Sequence, residues 1–182
     1  MRQKRKIQLL LSLIAGIIVA VTGSCSSGNS PTTSTTATTT STTGLTVSVV
    51  TGTAGGNYAP RHVVAIWIEN SAGEFVKTLT VYAQARAYDL TNWESVSGGN
   101  SVDAVTGATQ NSFGTITAHW NGTDIKNAVV ADGTYRVCME LTDKSSTGNF
   151  SYYTFTKGTT AETQTPANAA SFSYISIKWV PL

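Results

Sequence analysis

Residues 103–109 read Asp103-Ala104-Val105-Thr106-Gly107-Ala108-Thr109: one carboxylate, two hydroxyls and otherwise small or apolar side chains. The carboxylate stands six positions ahead of the second hydroxyl, and Gly107 and Ala108 keep side-chain bulk away from Thr109. A hydroxyl beside small residues is sterically accessible. The plainer alternative is a surface turn in which Asp103 caps a local N–H and Thr106-Gly107 turn the chain. Other chemistry is sparse. His62 and His119 lie far apart, each before or within a strand-like run, and read as packing or surface residues rather than bases. There is no Gly-x-Ser-x-Gly elbow, no His-Glu-x-x-His pair and no Gly-x-Gly-x-x-Gly turn, so NAD(P)H binding by this chain is not expected. The carboxylates are scattered, which leaves a glycosidase pair without a signal. No Cys or His spacing suits zinc, and Cys138 reads as a small, half-buried hydrophobe.

The string 103–109 resembles the acceptor motif for covalent flavin found in the flavin-carrying subunits of ion-pumping NADH–quinone and ferredoxin-linked redox complexes. There a separate FAD:protein FMN transferase takes FMN from FAD and joins its phosphate to the last Thr of the motif. The resemblance implies that Thr109 is the attachment point. Asp103 would help the transferase recognise the peptide, and Thr106, Gly107 and Ala108 would complete the acceptor. A metal held by the transferase would stabilise the charge that develops in the transfer. The chain would then be a redox carrier rather than a free-standing enzyme. The flavin ring would do the redox chemistry, with Tyr88 and Trp93 as candidate packing partners.

Such a site needs a compartment and a scaffold. Arg2, Lys4, Arg5 and Lys6 precede an apolar run from Ile7 to Val21, shorter than the ~20 residues of a spanning helix. That is the pattern of a secretory signal over residues 1–24. Val21-Thr22-Gly23-Ser24-Cys25 resembles a bacterial lipobox, which implies lipidation of Cys25 and anchoring on the periplasmic or outer face of a bacterial membrane. Residues 25–44 are almost wholly Ser and Thr after the cysteine and cannot bury enough surface to offset their ordering entropy. They read as a tether, about 25 Å long as a coil and roughly 60 Å at full stretch. The full chain carries +2; without its four signal cations it has eight basic and ten acidic residues, formally −2. No Lys/Arg cluster remains, so nucleic acid is not an expected partner.

From Leu45 to Leu182 the pattern is β, and long enough for one domain with a real core. Leu45, Val47 and Val49 alternate with more polar neighbours, as do Ile116, Ala118 and Trp120. Val63 to Glu69 is a continuous apolar run up to its final Glu, as expected of a central strand. Asn70-Ser71-Ala72-Gly73 supplies a turn before the alternating run Phe75 to Tyr82. In the next run Tyr135, Val137, Met139 and Leu141 form one apolar face opposite Arg136, Cys138, Glu140 and Thr142. Tyr152 to Thr156 and Phe172 to Trp179 bring the count to about seven strands, an all-β sandwich. Between them runs a long loop, residues 83–114, and loops of that length are often functional. Within it Asp89 to Ser97 reads as a short helix with Asp89 as N-cap and Trp93 facing inward. The acceptor string is expected to stand clear of the domain as exposed peptide.

Two further resemblances bear on the scaffold. Trp120-Asn121-Gly122-Thr123-Asp124, then Asp132-Gly133-Thr134-Tyr135, resembles the pattern of immunoglobulin-like domains in flagellar hook-capping proteins. It implies that Trp120 ends a strand with its ring in the core, that Asn121-Gly122 turn, and that Asp132-Gly133 launch the next strand. The runs Tyr58 to Glu69 and Gly73 to Leu79 resemble an uncharacterised bacterial family of predicted periplasmic proteins. That resemblance implies a periplasmic sandwich encoded near flavin transferases and haem-containing membrane reductases. The expected partners are therefore the FMN transferase, a membrane redox partner (a haem-containing or flavin reductase) and, through Cys25, the lipid membrane. The alternative is a non-redox, immunoglobulin-like envelope lipoprotein that binds a protein or cell-surface partner.

Overall fold

The computed structural model describes residues 42–182. The expected signal peptide, Cys25 and nearly all of the tether lie outside the described residues. In chain order the strands are β1 (Gly44–Thr51), β2 (Val63–Asn70), β3 (Phe75–Tyr82), β4 (Val105–Gly107), β5 (Thr115–Trp120), β6 (Gly133–Thr142), β7 (Asn149–Lys157), β8 (Glu162–Gln164) and β9 (Phe172–Val180). A four-stranded sheet runs β5-β1-β9-β8 and a five-stranded sheet runs β4-β3-β2-β6-β7. All pairs are antiparallel except β3 with β4. The seven longer strands are those expected from the apolar patterning. The two short ones had no such signal, because three residues cannot display a period of two.

Apolar residues at every second position face one another between the sheets. Leu45, Val47 and Val49 of β1 and Ile177 and Trp179 of β9 meet Ile66 and Ile68 of β2 and Val137 and Met139 of β6 in one buried cluster. At one end Trp120 packs against Tyr135, Phe155 and Trp179, with ring centroids 5.3, 6.0 and 6.3 Å away. Its indole N–H donates to the Thr123 carbonyl at 2.7 Å. Trp120 therefore ends β5 inside the core and ties down the turn that follows, and β6 begins at Gly133 as the residues suggested.

Residues 83–104 form a third layer over the outer face of the five-stranded sheet. They comprise a single 3₁₀ turn (Ala87–Asp89) and helix α1 (Thr91–Ser97), so the long connection is folded rather than open. Leu90 and Trp93 pack there with Val63, Ala65 and Trp67 of β2, Val81 of β3 and Cys138 of β6. The uninterrupted apolar run of β2 follows directly: one face serves the sandwich interior and the other serves this layer.

The helix departs from expectation at its start. Leu90, not Asp89, occupies the cap position, and no side chain of the segment caps it. Asp89 is buried and takes a 2.9 Å hydrogen bond from Arg86 Nε. The first-turn N–H groups that lack helical partners are satisfied by Glu140 of β6. Its carboxylate accepts from the Asn92 and Trp93 amides at 3.2 and 2.9 Å and from Asn92 Nδ2 at 2.8 Å. A seven-residue helix cannot stand alone in water, so this buried anion at its positive end helps to hold it. The supposed polar face of β6 is thus not solvent-facing: Cys138, Glu140 and Thr142 are all fully buried. Gly98 closes the helix in the left-handed conformation, φ 58°.

Candidate functional site

The centre of the string 103–109 is β4, which pairs in parallel with β3: Val105, Thr106 and Gly107 lie opposite Thr80, Val81 and Tyr82. Gly107 has a packing reason for its missing side chain, since a Cβ there would stand 2.8 Å from Cδ1 of the Tyr82 ring. The Gly107 carbonyl accepts from the Ala83 and Gln84 amides at 3.1 and 3.3 Å. Three residues later Gln110 exchanges two backbone hydrogen bonds with His62, at 3.0 and 2.9 Å. Ala108 and Thr109 therefore form an arch between two fixed points. The string does not stand clear of the domain; it is annealed to the sheet edge, with Thr109 half-buried and Ala108 exposed.

Asp103 sits at the other end of the string in the left-handed region, φ 57°, a conformation that Asp tolerates better than most residues. Its carboxylate lies 3.3 Å from Nζ of the buried Lys77. The same ammonium donates to Thr123 Oγ1 and the Asp124 carbonyl at 3.3 Å and to Asn127 Oδ1 at 3.0 Å. Asp103 thus pins the loop to Lys77 of β3 and the turn after β5. Neither half of the surface-turn reading holds, because Asp103 does not cap a local N–H and Thr106-Gly107 are strand.

The three functional groups of the string face three different hollows. Asp103 borders one with Lys77, His119 and Asn127. Thr106 and Gly107 line a second, of about 450 Å³, with Val81, Ala83 and Trp93. Thr109 lines a third, of about 310 Å³, with Tyr58, Arg61, Arg86, Tyr88, Asn111 and Ser145. Of the two aromatic candidates, Tyr88 shares the hollow of Thr109 and is 68 % exposed. Trp93 is buried elsewhere and donates its indole N–H to Thr78 Oγ1 at 3.0 Å.

One wall of the Thr109 hollow is pre-set. The Arg86 guanidinium lies 4.4 Å over the Tyr58 ring, pairs with Asp89 and donates to the Lys144 carbonyl. The Tyr58 hydroxyl is 2.9 Å from Ser145 Oγ. Arg61 is exposed and makes no ion pair among the described residues. Two guanidinium groups, two phenol rings and no carboxylate form this lining, a set suited to an anionic group carrying a planar ring. These residues fit a phosphoester-linked flavin on Thr109. Tyr58, Arg61 and Arg86 are the members that sequence reasoning missed. The His62–Gln110 bridge brings Tyr58 and Arg61 beside the arch, and the bonds of Ala83 and Gln84 to the Gly107 carbonyl bring Arg86; contacts between residues so distant in the chain leave no local signature.

The remaining candidates are structural. His62 is buried against Phe113, centroids 5.0 Å apart, with Nδ1 3.1 Å from the Pro60 carbonyl. Burial lowers its pKa, opposed by the Pro60 hydrogen bond and the Asp143 charge. His119 lies on β5 of the other sheet, 3.1 Å from Thr46 Oγ1. Cys138 is fully rather than half buried. Burial first, and then the neighbouring Glu69 charge and hydrogen bond, push its thiol pKa far up, so it stays protonated and unreactive.

The family model described as "Predicted periplasmic protein (DUF2271)" matches residues 44–175, which take in β1 to β8, the start of β9, the third layer and the whole of 103–109. No curated protein and no solved structure matches the chain.

Proposed function

This chain belongs to the DUF2271 family of predicted periplasmic proteins, and we propose that it is an exported electron carrier bearing FMN on Thr109. The observation that carries the reading is the arch. A hydroxyl of the acceptor-like string is held between two backbone anchors at a hollow edged by Arg61, Arg86, Tyr58 and Tyr88. In the transfer, Thr109 Oγ bonds to the FMN-side phosphorus of FAD and the bond from that phosphorus to the bridging oxygen breaks. AMP leaves, and the hydroxyl proton passes to a base of the transferase. No electrons move in that step, and the phosphodiester keeps one negative charge. The chemistry belongs to the transferase, and this chain is its substrate.

Once bound, the flavin supplies the redox chemistry and the domain positions it. Electrons come from and go to partner proteins, a membrane reductase (haem-containing or flavin) foremost. Lipidation of Cys25 and the tether would keep the carrier near that membrane and raise its effective concentration there. A second reading, a non-redox envelope protein that binds a partner, draws support from Phe150, Tyr152 and Tyr174, which are exposed on β7 and β9.

The deciding experiment is the intact mass of the full chain co-produced with an FAD:protein FMN transferase. Wild type and Thr106→Ala are expected to gain one FMN less one water, and Thr109→Ala to gain nothing. An unmodified wild type, with the transferase active on a control acceptor, overturns the flavin reading and leaves the binding protein.

A further inference from the structure

We propose that the hollow beside Thr109 is the docking bed of the attached flavin, with Tyr88 as the ring's stacking partner and Arg61 as the cation that sets its potential. The proposal rests on the reading of Thr109 as the acceptor. Its own ground is the contrast between the two halves of the hollow. Tyr58 and Arg86 are already engaged: their stack is locked by Asp89, Ser145 and the Lys144 carbonyl. Tyr88 and Arg61 are not. An aromatic ring 68 % exposed at the mouth of a concave site keeps a face free for a planar ligand.

Charge points the same way. Residues 42–182 carry eight basic and ten acidic side chains, yet two of those cations and no carboxylate line this hollow. Asp89 beneath offsets Arg86, so Arg61 supplies the uncompensated positive charge. An arginine beside an electron-accepting ring stabilises the negative charge that reduction places on it, and so raises its midpoint potential. The arch completes the arrangement. Because Gly107 and Gln110 are both hydrogen-bonded, a group on Thr109 is confined to the surface that the hollow occupies.

The test uses the full chain loaded by the transferase, as wild type, Tyr88→Ala, Tyr88→Phe and Arg61→Gln. All three are surface changes that leave the core untouched. Intact mass first reports loading in each. A docked ring gives wild type high flavin anisotropy and fluorescence quenched several-fold relative to free FMN. Tyr88→Ala is expected to lift the quenching several-fold and lower the anisotropy, while Tyr88→Phe retains the anisotropy. Arg61→Gln is expected to make the flavin midpoint potential more negative. Full loading with wild-type fluorescence like that of free FMN, or with signals unmoved by these variants, overturns the docking bed and leaves the acceptor reading standing. Absence of loading overturns both.

Discussion

The interior between the sheets and the smaller cluster beneath residues 83–104 share strand β2, one face each, but they differ in what they hold. The interior draws on all seven longer strands and is closed by the Trp120, Tyr135, Phe155 and Trp179 rings. The outer cluster is eight buried residues, two of them from the segment at α1. The first sets the fold. The second holds down the segment that leads into β4 and Thr109. A protein built this way can lose the order of its candidate site before it loses its architecture, since local opening needs less free energy than global unfolding.

Paired truncations break the comparison most sharply. Trp120→Ala is expected to cost about 4 kcal/mol of global stability by opening a cavity in the interior. Trp93→Ala is expected to cost less in chemical denaturation, about 2 kcal/mol, because the sandwich persists when the outer layer opens. Hydrogen exchange should show fast amides across 83–110 in that variant alone; uniform loss of protection would contradict the separation. Glu140→Gln keeps volume but removes the anion that receives the first amides of α1, and is expected to cost about 2 kcal/mol, read as fraying of residues 91–97. Gly107→Ala forces a Cβ onto the Tyr82 ring and should cost about 1–2 kcal/mol. Its exchange signature is expected at β4, with Asp103 and Lys77 still paired.

Much of the first region was legible in the sequence and little of the second. Alternation in β1 and β5 and the Asn70–Gly73 turn are local signals, and each gave its element. Trp120 followed by Asn121-Gly122 marked where a strand ends in the core. The helix was legible from Trp93 and its neighbours, but not its cap, because Glu140 lies 48 residues from Asn92. Asp89 resembled an N-cap in type and position, yet Arg86 three residues earlier claims its carboxylate. The string 103–109 suggested a chemistry without its setting. Three-residue parallel pairing, an Asp held by a lysine from β3, and an Arg61–Tyr88 hollow all depend on contacts that no window of sequence contains.

The smallest expected effect is the pH response of His62, whose backbone is bridged to Gln110. Its pKa is lowered in the folded state, so the unfolded chain binds the proton more tightly. Stability is therefore complete above the ordinary value near 6.5 and declines as pH falls from there towards the folded pKa. One proton limits the slope to about 1.4 kcal/mol per pH unit. Urea midpoints between pH 7.5 and 5 should fall with pH in wild type, within that limit, and less steeply in His62→Asn; equal slopes would remove His62 from the account.

The double-faced β2 also governs how this domain can be engineered. Its Val63, Ala65 and Trp67 lie under the outer layer, so a minimal sandwich made by excising residues 83–104 would not be a smaller version of the same protein. It would present a bare apolar stripe along the middle of the larger sheet, beside a β3 edge to which β4, joined directly to the end of β3, could no longer return in parallel. Such a surface recruits further copies of itself. The segment that resembles an ornament in the chain is what covers that stripe, and a graft of this scaffold has to carry it along.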